Sequence, residues 1–282
     1  MYKLGIIGYP LGHSISAAIH EAAMKSIDVD GVYDVLETPP EDLISRLKFL
    51  KTQNYHGFNV TIPLKVPVSL FLDEIDDYSN IAGCVNTVKI NADKTLFGYN
   101  TDIYGFKMAI PLEVNLKGKN ASVLGTGGAS RAAVVGLIER GVTEIDMYTR
   151  NIINANQTIN YLRAQFPEVK FSAYQIQNIR DLSHTSIVVN TTPIGMRGFM
   201  MNESPIEEND IKKLNPDTIV YDVVYNPTKT KLITMAQKAG LRTIGGLDML
   251  IMQAQRAQII WTGKTPDANM MKIAALEALN GM

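Results

Sequence analysis

Ala121-Ser122-Val123-Leu124-Gly125-Thr126-Gly127-Gly128-Ala129-Ser130-Arg131 decides how this chain is read. A short run of β-forming residues ends in closely spaced glycines, and a helical pattern continues from about Ala129 to Arg140. Glycine suits such a turn because it adopts conformations that strain other residues and lets the backbone approach a ligand closely. The helix amino terminus then offers free N–H donors and the positive end of a dipole to an anion. The stretch therefore predicts a strand, turn and helix that cradle a dinucleotide pyrophosphate over Gly125, Thr126, Gly127, Gly128 and Ala129. Ser130 departs from the usual Gly or Ala, and a glycine trio also suits a purely structural turn.

The residues downstream favour the nucleotide reading. The next strand, Ile145–Tyr148, ends in Tyr148-Thr149-Arg150-Asn151 with no carboxylate at its tip. Folds that take NAD place an acidic group there for the ribose 2′-hydroxyl, whereas an arginine accommodates the 2′-phosphate of NADP. Arg150 thus favours NADP over NAD, the alternative being a solvated arginine after a strand. A helix over Ile152–Gln165, apolar runs at Ile187–Val189 and Thr218–Tyr221, and a helix over Lys229–Ala239 continue the alternation. Parallel strands with helical crossovers fit it, as in a Rossmann-type doubly wound domain.

Upstream lies a second α/β unit. Strand-like Leu4–Gly8, Val32–Leu36 and Gly57–Val60 alternate with helical Ser16–Ser26 and Glu41–Lys51. Val85–Ile90 and Thr95–Tyr99, separated by Asn91-Ala92-Asp93-Lys94, predict a hairpin at the sheet edge. Leu247–Trp261 and Asp267–Leu279 are helical and are expected to pack back on the first domain. The expected organisation is α/β in two domains: residues 1–103 with 245–282 for substrate and catalysis, and 104–244 for the dinucleotide. Leu112–Lys119 is the nearest thing to a linker.

Composition narrows the function classes. With 282 residues and 46% apolar content the chain can bury two cores. Its 27 basic and 28 acidic residues leave a net charge of -1, so no broad field attracts nucleic acid or an anionic membrane. The first residues run straight into a strand pattern without the features of a signal peptide, and no apolar run approaches membrane-spanning length, which predicts a cytoplasmic protein. Cys84 is the single cysteine, and the four histidines, His13, His20, His56 and His184, lack ligand spacing, so no metal is expected. His13 reads as structural. The paired methionines Met200-Met201 and Met270-Met271 read as packing or loop residues.

Polar residues gather where strands of the first domain end. Ser14 and Ser16 precede a helix, where they either cap it or form a small carboxylate site. In Asn59-Val-Thr61-Ile-Pro63-Leu-Lys65 a strand stops at the proline and the lysine follows two residues later, and Asn86 and Asp102 fall in two further clusters. Reduction of a ketone leaves charge on oxygen and needs a proton donor within reach. A lysine oriented by an aspartate meets that need, although the same two residues also form ordinary salt bridges.

These segments, in this order, resemble the shikimate dehydrogenase family. Asn190-Thr-Thr-Pro193-Ile-Gly195-Met196, Tyr221-Asp222-Val-Val-Tyr225-Asn226-Pro227, Gly245-Gly246-Leu-Asp-Met249-Leu-Ile-Met-Gln253 and Trp261-Thr262-Gly263 extend the resemblance over essentially the whole chain. It implies reversible NADPH-dependent reduction of 3-dehydroshikimate to shikimate, a step toward chorismate and the aromatic amino acids. Ser14 and Ser16, helped by Tyr225, would hold the substrate carboxylate; Thr61, Asn86 and Gln253 would bind ring hydroxyls. Lys65 and Asp102 would be catalytic, Thr149 and Arg150 would face the adenosine ribose and its phosphate, and Val223 and Gly246 would lie near the nicotinamide. Ala17, Glu21, Asp248 and Thr149-Arg150-Asn151 depart from the family's common residues. Two alternatives stay open: a quinate/shikimate dehydrogenase preferring NAD, and a ligand sensor that retains the fold without turnover. The expected partner is a small molecule, with neither nucleic acid nor membrane; the oligomeric state is left open, a homodimer included.

Overall fold

A computed structural model describes residues 1–12, 14–179 and 182–281. His13, expected to be structural, lies outside the described residues. The chain forms two units, Met1–Gly105 with Ile251–Met282, and Phe106–Leu250.

In the first unit, β1 (Tyr2–Gly8), α1 (Ser16–Ser26), β2 (Gly31–Glu37), α2 (Leu43–Thr52), β3 (Gly57–Val60), β4 (Glu74–Ile75), α3 (Asp77–Ala82), β5 (Thr87–Ile90) and β6 (Leu96–Tyr99) follow in sequence. The sheet order is β2-β1-β3-β5-β6-β4. β1 pairs parallel with β2 and β3, whereas β5 runs antiparallel to both β3 and β6. The hairpin predicted from sequence is therefore present, but it is not the sheet edge. The two-residue β4 pairs parallel with β6 outside it, too short to leave a periodic signal. α2 also starts later than expected, after a 3₁₀ turn over Pro40–Asp42.

Helices cover both sheet faces. α2 places Leu43, Leu47 and Leu50 on one stripe, packed with Phe58, Val60 and Val88. On the other face Leu4, Ile6, Met24 and Tyr33 meet Ala257 and Trp261. Those last two residues belong to α9 (Gly246–Thr262), and α10 (Ala268–Asn280) packs against α1. Trp261 Nε1 donates to Val88 O at 3.0 Å. Gly57 makes this approach fit, since a Cβ there would run into the Trp261 indole and stand 2.7 Å from Val88 O.

The second unit contains β7 (Asn120–Leu124), α5 (Gly128–Glu139), β8 (Glu144–Thr149), α6 (Ile152–Gln165), β9 (Lys170–Gln175), β10 (Ile187–Asn190), α7 (Glu208–Ile211), β11 (Ile219–Asp222), α8 (Lys231–Lys238) and β12 (Arg242–Ile244). All its strand pairs are parallel, in the order β12-β11-β10-β7-β8-β9. This is the Rossmann order, with its switch point between β7 and β10. β10 and β11 are buried along their whole length, as central parallel strands require. The unit divisions fall inside α9 and inside α4 (Thr101–Ala109), and Leu112–Lys119 lies within the second unit. There Arg140 donates to the carbonyls of Ile110, Pro111 and Val114, tying the segment to α5.

Gly57→Ala should destabilise the first unit by about 1–3 kcal/mol, since overpacking a closed site costs on this order. Urea unfolding followed by Trp261 fluorescence measures it; an unchanged midpoint would show that the tryptophan packing yields easily.

Candidate active site

α4 begins where β6 ends, and its amino terminus carries Thr101 and Asp102. Asn100 holds that terminus: its Oδ1 accepts from the Ile103 amide at 3.3 Å, while its Nδ2 donates to the Cys84 carbonyl at 3.0 Å. Thr101 and Asp102 therefore occupy the first turn, where a carboxylate gains from the helix dipole. The chain after β3 turns back through Thr61, and the Val85 amide donates to the Lys65 carbonyl at 2.8 Å. Lys65 Nζ reaches Asp102 Oδ2 at 2.6 Å.

This ion pair is largely shielded from water, with side-chain exposures of 16% for Lys65 and 7% for Asp102. An exposed pair would be worth little; a shielded one with further hydrogen bonds is a fixed element of charge. The second Asp102 oxygen accepts from Asn86 Nδ2 at 2.8 Å. The same amide nitrogen donates to Thr101 Oγ1 at 2.9 Å, and Gln253 Oε1 lies 3.3 Å from Thr101 Oγ1. Asn86 Oδ1 in turn accepts the Thr101 amide at 2.7 Å. Lys65, Asn86, Thr101, Asp102 and Gln253 thus converge from four segments of the chain. Both Asn86 amide hydrogens already have acceptors, so a ring hydroxyl at this residue would have to share them.

Ser14 and Ser16 form a separate pair. Their hydroxyls lie 3.1 Å apart, and Ser14 Oγ accepts from the Ser16 amide at 3.3 Å. Neither occupies the N-cap of α1, which is Ile15. Both are half-buried, and the amide of Thr61, also half-buried, donates to the Ile7 carbonyl at 2.9 Å.

In the second unit the glycine turn follows β7. Gly125 sits at φ +111°, a conformation costly for other residues, and a Cβ there would stand 2.6 Å from Thr191 Oγ1. The space over Gly127, the N-cap of α5, is open: a Cβ would meet nothing within 4 Å. That combination, a tight turn backed by β10 and an open helix terminus, fits a dinucleotide pyrophosphate. Ser130, irregular by the usual pattern, is buried and donates to the Gly125 carbonyl at 2.8 Å, locking the turn from below. At the end of β8, Thr149 Oγ1 lies 3.4 Å from Thr126 Oγ1 and accepts from the Asn151 amide at 3.1 Å. Asn151 caps α6 through the Asn154 amide, and Arg150 is exposed between them.

Val223, Tyr225 and Gly246 also belong to this unit. A side chain at Gly246 would strike the Val223 carbonyl and stand 2.8 Å from Val224 C, so the start of α9 packs directly on the segment after β11. Burial pushes the Tyr225 phenol up. Asp248, one of the departures noted in the sequence, lies exposed in the first turn of α9.

Sequence reading missed the residue that organises these loops. Asp222 is fully buried and accepts from Asn190 Nδ2 at 2.9 Å, the Val224 amide at 3.1 Å and Thr230 Oγ1 at 2.6 Å. Asn190 Oδ1 accepts from Thr192 at both amide and hydroxyl. The two quoted motifs carried the signal, but nothing in them says which polar side chain turns inward. Burial raises the Asp222 carboxyl to about 6, against the hydrogen bonds that favour its charged form. Among the described residues no cluster of His, Cys, Asp and Glu has metal-site geometry, and no helix is long and apolar enough to cross a membrane.

Asp222 folds with a raised pKa, so its contribution to stability is complete below about pH 4 and is lost as pH rises through about 6. Asp222→Asn should remove that slope and gain up to about 3 kcal/mol on the wild type between pH 4 and 7. Denaturant midpoints of both proteins across that range test it; parallel curves would contradict it.

Comparison with known proteins bears on both units. The family model for the shikimate dehydrogenase substrate binding domain matches residues 6–88. The curated shikimate dehydrogenase (NADP(+)) of Caldanaerobacter subterraneus subsp. tengcongensis is 37% identical over 268 residues, covering 95% of this chain and 94% of that protein. The crystal structure of shikimate 5-dehydrogenase from Thermus thermophilus in complex with NADP(H) and shikimate matches with TM-score 0.86 at 32% identity, covering 99% of this chain and 100% of the other. Quinate dehydrogenase from Corynebacterium glutamicum in complex with NAD matches with TM-score 0.89 at 29% identity, over 98% and 99% of the two chains.

Proposed function

The chain belongs to the shikimate dehydrogenase family, and we propose from that membership that it catalyses the reversible NADP-dependent interconversion of 3-dehydroshikimate and shikimate. The observation that carries this reading is the shielded Lys65–Asp102 pair, braced by Asn86 at the amino terminus of α4. A ligand sensor needs binding groups but no oriented proton donor.

When bound, the nicotinamide supplies the hydride that reduces the ketone carbon. The protein handles the proton. In the reducing direction the Lys65 ammonium stabilises the charge developing on the ketone oxygen and donates its proton there. In the oxidising direction neutral Lys65 accepts the hydroxyl proton. Asp102 holds Nζ in place through its Oδ2, and Asn86 prevents the carboxylate from turning away by engaging Oδ1.

The remaining roles follow from chemistry and from the family. Ser14 and Ser16 bind the ring carboxylate as hydroxyl donors, and Thr61, Asn86 and Gln253 engage ring hydroxyls. Gly125 to Ala129 accept the pyrophosphate at the start of α5. Thr149 and Arg150 take the adenosine ribose and its 2′-phosphate; with no carboxylate at the tip of β8, nothing there repels that phosphate. Val223 and Gly246 flank the nicotinamide.

Steady-state rates with shikimate and quinate, each with NADP and NAD, test the proposal. Shikimate with NADP should give the highest kcat/KM; a higher value for quinate with NAD would assign the chain to the other specificity. Lys65→Ala should keep KM for shikimate within a few-fold and lower kcat by at least about a hundredfold, as loss of acid–base catalysis does. Unchanged kcat would remove Lys65 from the chemistry.

A further inference from the structure

The hydrogen bonds at Asn86 continue inward through the first unit. Thr87 Oγ1 lies 3.1 Å from Asn86 Oδ1 and accepts from Asn59 Nδ2 at 3.0 Å. Asn59 Nδ2 also reaches the Asn86 carbonyl at 3.2 Å, and its Oδ1 accepts from Tyr33 OH at 2.6 Å. The Tyr33 ring lies flat on the His20 imidazole, with centroids 4.3 Å apart and planes within 3°. Gln258 Nε2 and His20 Nδ1 are 3.1 Å apart at the far end. Tyr33, Asn59, Thr87 and Asn86 are all buried, and only Asn86 touches the ion pair.

The direction of donation along this chain follows from its members. The Asn59 carbonyl oxygen cannot donate, so Tyr33 must give its proton to it. Asn59 Nδ2 can only donate, so Thr87 receives, and the single Thr87 hydrogen is directed outward to Asn86 Oδ1 or to Thr101 Oγ1, 3.1 Å away. With Thr87 serving Asn86 Oδ1, the Thr101 hydroxyl hydrogen is left for Gln253 Oε1, and Asn86 Nδ2 faces Asp102. Hydrogen bonds aligned in one direction polarise and strengthen one another in a buried setting. Burial pushes the His20 imidazole down to about 3, so the inner end of the chain carries no charge above that pH.

We propose that Thr87, Asn59 and Tyr33 are positioning residues of the Lys65–Asp102 site: their one-way chain of donors holds the Asn86 amide, and through it the Asp102 carboxylate, in the orientation that proton transfer requires. None of the three touches the ion pair, so they act through Asn86 and its hydrogen-bond partner Thr101. The inference rests on the reading of Lys65 and Asp102 as the proton-transfer pair.

Thr87→Val keeps the shape and breaks the chain; Thr87→Ser restores the hydroxyl. Tyr33→Phe removes the innermost donor and keeps the ring on His20. Thr87→Val should lower kcat for shikimate oxidation about tenfold with KM for NADP close to wild type and a lowered thermal midpoint, since it leaves a buried Asn59 amide hydrogen unpaired, and Thr87→Ser should recover both kcat, to within about twofold, and the midpoint. Tyr33→Phe should lower kcat several-fold in the same sense. Wild-type kcat in Thr87→Val, or a loss that Thr87→Ser does not recover, overturns the proposal; if Thr87→Val fails to fold, unchanged kcat in Tyr33→Phe overturns it. Lys65→Ala separates the two levels. With Lys65→Ala inactive and the wild type active, wild-type rates in the Thr87 and Tyr33 variants overturn the donor chain alone. With no shikimate turnover in the wild type, the reading of the site falls and the donor chain falls with it.

Discussion

Asn86 satisfies a constraint on which the first unit depends: strand ends of opposite direction and a helix terminus must meet without leaving buried polar groups unpaired. Its carbonyl accepts the Val60 amide at 2.8 Å, its amide donates to the Tyr99 carbonyl at 3.1 Å, and its side chain caps the gap to Thr101 and Asp102. An unpaired buried amide costs on the order of 1–3 kcal/mol, so this junction has few alternative arrangements. The Lys65–Asp102 pair sits on a rigid framework because the residue that orients Asp102 also joins β3 to β6.

The second unit solves a related problem with a carboxylate. Asp222 gathers Asn190, Val224 and Thr230 around the ends of β10 and β11 without a counter-charge among its hydrogen-bond partners, and its raised pKa records the cost of that arrangement. Gly125 and Gly246 contribute by absence. One lets Thr191 approach the turn after β7, and the other lets α9 start against Val223. His20 and Asp222 also bend the pH dependence of stability in opposite directions, one favouring the fold as pH rises from about 3 toward 6.5, the other losing its contribution as pH rises toward 6.

Much of this was legible in the sequence because the relevant signals are local. The run from Ala121 to Arg131 specifies strand, turn and helix, and the long periodic helices Ser16–Ser26 and Ile152–Gln165 have the predicted bounds. Lys65, Asn86 and Asp102 stood out as polar residues at strand ends. What escaped was short, non-local or, in the six-residue β9, a half-exposed strand at the edge of the second sheet. β4 has two residues, β12 has three, and the α4 helix starts inside a motif that reads as a polar loop. Ser130 looked like a departure from the glycine fingerprint until its bond to the Gly125 carbonyl explained it. Asn59, Thr87 and Tyr33 look like ordinary strand residues; only the register of β2, β1, β3 and β5 aligns their polar atoms inside the unit.

The proposed reaction moves a hydride directly between the substrate carbon and the nicotinamide. Shikimate deuterated at the carbon that becomes the ketone, oxidised with NADP, tests it most directly. Direct transfer predicts a primary isotope effect on single-turnover oxidation and retention of the label in the reduced cofactor. Label lost to solvent, or no reduction of NADP at all, would contradict it.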